Sequence, residues 1–228
     1  MPKTQLILSA LFVFLISFAK AQIKAHAFLA DHVKNGIYLS AENFNRNEPA
    51  VTIDHLTNES FDLLKATPAG TEWDCLAGLQ YIDPSGQIVK LSVGKIWGIV
   101  MDGNLYVKHA RPIKASNRLC FYQLLYFGTL SKYFVTITRQ EFHGTAGGVS
   151  TYSPTRSVTR EFTIDLRTGE VFNTKNQLGK IKDIIKSDAS FAGQKINKDN
   201  LDEYIAAYNK KNIHPNVATN SHFQDKGE

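Results

Sequence analysis

The sequence predicts an α+β fold: predominantly an antiparallel β meander, as a sheet or a partly closed barrel, with a short N-terminal helix and C-terminal helices packed on it. Three observations predict it. Alternating apolar segments run from Val51 to Phe172, with turn residues between them and no helical stripe long enough for a crossover. A capped, proline-stopped segment precedes them. Beyond Thr174 the apolar period changes from two to that of a helix.

Before the first of these elements, residues 1–21 read as a signal peptide. Lys3 is followed by the apolar run "LILSALFVFLISF" from Leu6 to Phe18 and by Ala19-Lys20-Ala21, a small-x-small cleavage site. Cleavage is expected between Ala21 and Gln22. The run is shorter than the ~20 residues of a membrane span. The rest of the chain has no comparable run, so no transmembrane span is expected after leader removal. No cysteine follows the run to carry a lipid. The mature chain is expected to be exported, periplasmic or secreted, as a single α+β domain over residues 22–213 with a disordered tail over 214–228.

"AHAFLADHVKNG" fits a short helix or an ordered tail. In "GIYLSAENFNRNEP", Ser40 is an N-cap, Leu39 and Phe44 occupy the positions of a hydrophobic staple, and Pro49 ends the helix near Asn47. "AVTIDHL" alternates as a strand, and "GLQYIDPSGQIVKL" is a hairpin with Pro84 and Gly86 in its turn. "LCFYQLLYFGTLSKYFVTITR" supplies two strands around Gly128, and "REFTIDLRTGEVF" a hairpin closed at Gly169. A sheet of at least about six strands is expected. Thr174 and Gln177 fit a capping box for a helix carrying Leu178, Ile181, Ile184 and Ile185. A second helix carries Leu201, Tyr204, Ile205 and Tyr208, with Lys210 and Lys211 at its end.

The hairpin "KIWGIVMDGNLYVKHA" has two registers. A two-residue Asp102-Gly103 turn pairs Met101 with Asn104; a three-residue loop with Gly103 left-handed pairs Val100 with Asn104. The second is preferred, because it sets Gly98 beneath Tyr106 and puts Trp97, Ile99, Leu105 and Val107 on one face. In either register both faces are apolar, so the hairpin is central and the C-terminal helices are the expected cover of one face. Trp97 and Tyr106 then belong to the core, with a ligand platform as the alternative.

The combination of "GIYLSAENFNRNEP", "IWGIVMDGNLYV", "FTIDLRTGEV" and "LDEYIAAYNKKN" resembles an uncharacterised family of signal-peptide-bearing proteins from Gram-negative bacteria. The resemblance covers most of the mature chain. It implies export and a shared fold, and it brings no catalytic residues.

Composition bounds the function further. Removing Lys3 and Lys20 from the 26 basic residues leaves 24 against 21 acidic ones, a net charge of +3. So mild an excess does not argue for nucleic acid. A chain of this size buries roughly 70% of its unfolded surface and does not need disulfides. Cys75 and Cys120 can bridge in an oxidising compartment or serve as two small buried hydrophobes. No CxxC, HExxH, calcium loop or P-loop is present, and His26 and His32 are six residues apart, on different sides of a helix. No metal or cofactor is expected. "EFHGTAGGVSTYSPT" holds His143 and Ser150 around the glycines Gly144 to Gly148, but it lacks a nucleophile elbow and an orienting carboxylate. It reads as a mobile loop between two long strands. The expectation is therefore a non-enzymatic envelope or secreted protein that binds a polymer or another protein. The alternatives are a hydrolase using His143 and Ser150, and a structural subunit that adds its edge strands to a larger assembly.

Overall fold

The structure, a computed structural model, describes residues 29–65, 72–76, 78–109, 119–125, 128–139, 142–146, 149–152 and 156–217. The expected leader and the expected Ala21–Gln22 cleavage site lie outside the described residues, as does His26. The chain enters at Leu29, which makes an isolated antiparallel bridge to Val217 and donates its N–H to the Gly103 carbonyl at 3.2 Å. Residues 31–33 form a turn rather than a helix.

β1 (Gly36–Tyr38) leads into α1 (Ala41–Asn45), whose Asn43 N–H donates to the Ser40 hydroxyl at 3.1 Å. Asn47, at φ 54°, takes the left-handed conformation that ends the helix. The expected staple does not form, because strand alternation sends Tyr38 to the core and leaves Leu39 exposed at 38%. Tyr38 meets the fully buried Phe44 edge-on instead, with ring centroids 5.5 Å apart.

After β2 (Val51–Thr52) comes a helix that strand patterning did not foresee, α2 (Asn58–Lys65). Its signal was a Thr57 N-cap ahead of Phe61 and Leu64. The Thr57 hydroxyl accepts the Ser60 N–H at 3.4 Å, and Leu64 is buried. β3 (Glu72–Leu76), the hairpin β4 (Leu79–Ile82) and β5 (Ile88–Leu91), the hairpin β6 (Gly98–Met101) and β7 (Asn104–Lys108), and β8 (Leu119–Gln123) follow. Six of these strands form one antiparallel sheet in the order β2-β1-β6-β7-β8-β3.

The β6–β7 hairpin sits inside this sheet and is covered on both faces, as expected, but in the other register. Met101 pairs with Asn104, and both Asp102 (φ 51°) and Gly103 (φ 73°) are left-handed. That is a type I′ turn, whose twist matches the flanking strands and whose first position Asp tolerates. Gly98 therefore faces Val107 rather than Tyr106. Val100, Leu105 and Val107 point to one core, and Ile99, Met101 and Tyr106 to the other.

The second half of the chain builds a separate layer. β9 (Leu130–Arg139) and β12 (Arg156–Asp165) pair without interruption over their whole length, and β13 (Val171–Asn173) joins β12 on the far side. Between them the expected mobile loop is a hairpin. β10 (Phe142–Ala146) pairs with β11 (Val149–Tyr152), where Val149, Thr145 and Thr151 favour extended backbone. α3 (Leu178–Lys186) and α4 (Leu201–Lys211) close the fold.

Among the described residues the sheets are open rather than barrel-like, and three cores separate the layers. Tyr133, Val135, Phe162 and Ile164 of the β9–β12 sheet cover one face of the six-stranded sheet; α2 and the β4–β5 hairpin cover the other. α3 and α4 bury Ile181, Ile185, Leu201, Ile205 and Tyr208 against Leu130 and Phe172. The helices thus pack on the second sheet, not on the β6–β7 hairpin, whose faces are already occupied. The expected capping box is also displaced. The Thr174 hydroxyl pairs with Thr163 at 2.9 Å, and Gln177 becomes the N-cap position while its side chain accepts the Asn173 N–H. Nor does the chain loosen at residue 214: His214, Asn216 and Val217 are buried. Among the described residues, no helix is long and apolar enough to cross a membrane.

Candidate functional site

The residues singled out by sequence fall in four places. Trp97 is half-buried on the first core, its ring 5.6 Å from Phe44, and its backbone N–H donates to the Tyr38 carbonyl at 2.9 Å. Tyr106 packs against the second core, where burial raises its phenol pKa and Asp102 raises it further. His143 and Ser150 lie on the β10–β11 hairpin. Ser150 is opposite Thr145, and a bulge falls at His143; their side chains lie outside the described residues. Cys120 is disulfide-bonded, and the chain's only other cysteine is Cys75. The β3–β8 register, with Trp73 opposite Phe121 and Leu76 opposite Leu119, sets Cys75 alongside it. Among the described residues no group of three or more His, Cys, Asp or Glu is placed to hold a metal ion.

Sequence patterning gave no hint of the polar clasp that joins α1, the β12–β13 turn and the C-terminal segment. The His214 Nε2–H donates to Asn45 Oδ1 at 2.8 Å, and its Nδ1 accepts the Asn216 N–H at 3.2 Å. The ring stacks on Phe44. Asn45 Nδ2 in turn donates to the Arg167 carbonyl at 2.8 Å, and Asn216 Nδ2 to the Phe44 carbonyl. In the turn itself, buried Asp165 accepts Arg167 Nε at 3.0 Å and Nη2 at 2.7 Å. Asn209 of α4 grips β9 the same way, accepting the Leu130 N–H at 2.8 Å and donating to its carbonyl at 2.7 Å. α1, the β12–β13 turn, α4 and the C-terminal segment are thus tied together by side-chain amides and an imidazole, as scaffold.

The clasp makes stability pH-dependent. An imidazole whose Nδ1 accepts a hydrogen bond must be neutral, and burial pushes the His214 pKa down to about 4; Asp165 raises it and Arg167 lowers it by less. Between that value and the ordinary 6.5, the unfolded chain binds a proton that the folded chain refuses. Stability should therefore fall as pH drops from about 6.5 to about 4, by up to about 3 kcal/mol. Urea unfolding across that range measures it, and the slope should flatten in His214→Gln.

The open surface lies elsewhere, on the flank of β12. A groove of about 540 Å³ runs between residues 158–161 of β12, residues 173–176 where β13 turns into α3, and Lys198 and Asp202 at the start of α4. At its floor, the buried Lys132 ammonium lies 2.8 Å from the Glu161 carboxylate and also contacts Asp202. That single ammonium offsets one of the two acid charges. Arg160, Lys175 and Lys198 are exposed around the groove and have no carboxylate partner among the described residues. The uncompensated charge of the lining is thus positive.

A second groove, of about 430 Å³, lies between α2 and the β4–β5 hairpin, with Glu59 and Lys90 both in its lining. Its opposite charges leave no such bias. The signal for the first groove was faint in sequence: a lysine inside the apolar strand "LSKYF" must find acids elsewhere in the fold. Arg160, Lys175 and Lys198 look like ordinary surface residues until the fold gathers them. No family model matches the sequence, and no curated protein or solved structure matches it either.

Proposed function

We propose that the protein is exported, to the periplasm or beyond, and acts there by binding a polymer or another protein of the envelope rather than by catalysis. The observation that supports binding is the β12 groove: a concave, hydrogen-bonding surface rimmed by three cations, whose lining carboxylates among the described residues, Glu161 and Asp202, both contact Lys132. Export rests on the leader at residues 1–21.

N-terminal sequencing of the protein recovered from a Gram-negative host tests export. The expected product starts at Gln22 and is found outside the cytoplasm. An intact chain beginning at Met1, recovered from the cytoplasm or the membrane, would sink this reading.

A further inference from the structure

We propose that the groove beside β12 is a strand-addition site for an extended, acidic segment of a partner protein; this deepens the binding reading above and rests on it. The ladder fixes which way each backbone group points. The Glu161 carbonyl accepts the Thr174 N–H at 3.2 Å, and the Asp165 N–H donates to the Glu170 carbonyl at 3.0 Å. Odd-numbered residues of β12 therefore direct their backbone groups toward β13, and even-numbered ones toward β9. β9 pairs with all of β12 without a register shift, so the alternation holds to the strand's beginning.

β13 is shorter. It pairs only with residues 162–164, and after the Thr174 bond the chain turns away into α3. The Thr159 N–H and carbonyl consequently point into the groove, beyond the end of β13, and no described residue takes them up. An unpaired edge next to a polar trough is the geometry of β-augmentation, in which main-chain bonds give affinity and flanking side chains choose the guest. Here the flanking charges are Arg160, Lys175 and Lys198, while Glu161 and Asp202 are engaged by Lys132. A guest strand with alternate carboxylates complements them; a basic one does not. The exposed Val158 offers an apolar contact at the same edge.

The test uses the full mature chain and an acetylated, amidated peptide of alternating glutamate and threonine, about eight residues long. Titration followed by backbone amide shifts should show saturable binding centred on Thr159. Thr159→Pro removes the edge donor at a position where proline is tolerated, since its N–H faces away from β9. It should weaken binding by about tenfold or more while the variant stays folded. Lys175→Glu with Lys198→Glu should weaken it comparably and admit the lysine–threonine peptide instead. A probe peptide N-methylated at every residue, which has no N–H left to pair from either edge, should not bind the unaltered protein; this arm holds even if Thr159→Pro misfolds. The proposal is overturned if the glutamate–threonine peptide fails to bind. It is equally overturned if the N-methylated peptide binds as well, or if dextran sulfate competes for a site that Thr159→Pro leaves intact, because the groove is then a charge trap without strand pairing. All of this is read in vitro, so a failure of export leaves the result standing and a failure here leaves export untouched.

Discussion

Replacing Phe44 with alanine is expected to lower stability by about 3–5 kcal/mol. Phe44 is fully buried although it sits in a helix of only five residues, and three side chains from separate segments close on its ring. Tyr38 meets it edge-on, Trp97 lies 5.6 Å away, His214 stacks on it at 5.6 Å, and the Asn216 amide is hydrogen-bonded to its carbonyl. So short a helix has no stability of its own and persists because this ring is packed. Removing the ring opens a cavity and also loosens the His214 clasp, so neighbours cannot collapse cheaply into the space. Urea unfolding of Phe44→Ala gives the number. A loss under about 1 kcal/mol would mean that α1 is a surface ornament and not part of the core.

The second large effect is expected at Gly169. Its φ is +75°, and an added Cβ would lie 2.8 Å from Ala41 Cβ and 2.8 Å from Trp97 Nε1. A valine there meets two separate penalties: a left-handed conformation that β-branched residues resist, and a collision with the start of α1 and the indole. Gly86 separates them, because its φ is +83° but nothing lies within 4 Å of its added Cβ. Gly86→Val should cost about 1–2 kcal/mol from backbone strain alone. Gly169→Val should cost about 3–5 kcal/mol, the excess being the collision. Equal losses in the two variants would show that the β12–β13 turn does not touch Trp97.

These two sites also show what the sequence could convey. Gly86, Gly103 and Gly169 mark three tight turns, and each is left-handed in the structure; the strand periods around them and the Ser40 cap were legible because they are local. The register of the β6–β7 hairpin was not, since it depended on whether Asp102 joined Gly103 at positive φ. Which face each helix covers was illegible for a different reason. The stripe of α4 announces burial, but only the uninterrupted pairing of β9 with β12 creates the second sheet that receives it. The candidate site suffered most. Trp97 drew attention as a large aromatic and turned out to be wedged between Phe44 and the Gly169 turn. Thr159, an unremarkable threonine in a polar stretch, gains its importance from the early end of β13, an event located in a different segment of chain.

That early end leaves the Thr159 edge open, and site-resolved amide hydrogen exchange of the free, full mature protein tests it directly. The amides of Val158 and Arg160 face β9 and should be protected with the rest of the sheet, whereas the Thr159 amide, lying between them, should exchange within about tenfold of the unfolded-chain rate. A Thr159 amide as well protected as its two neighbours would contradict the account, because the edge would then already be paired and the groove would have no strand to offer.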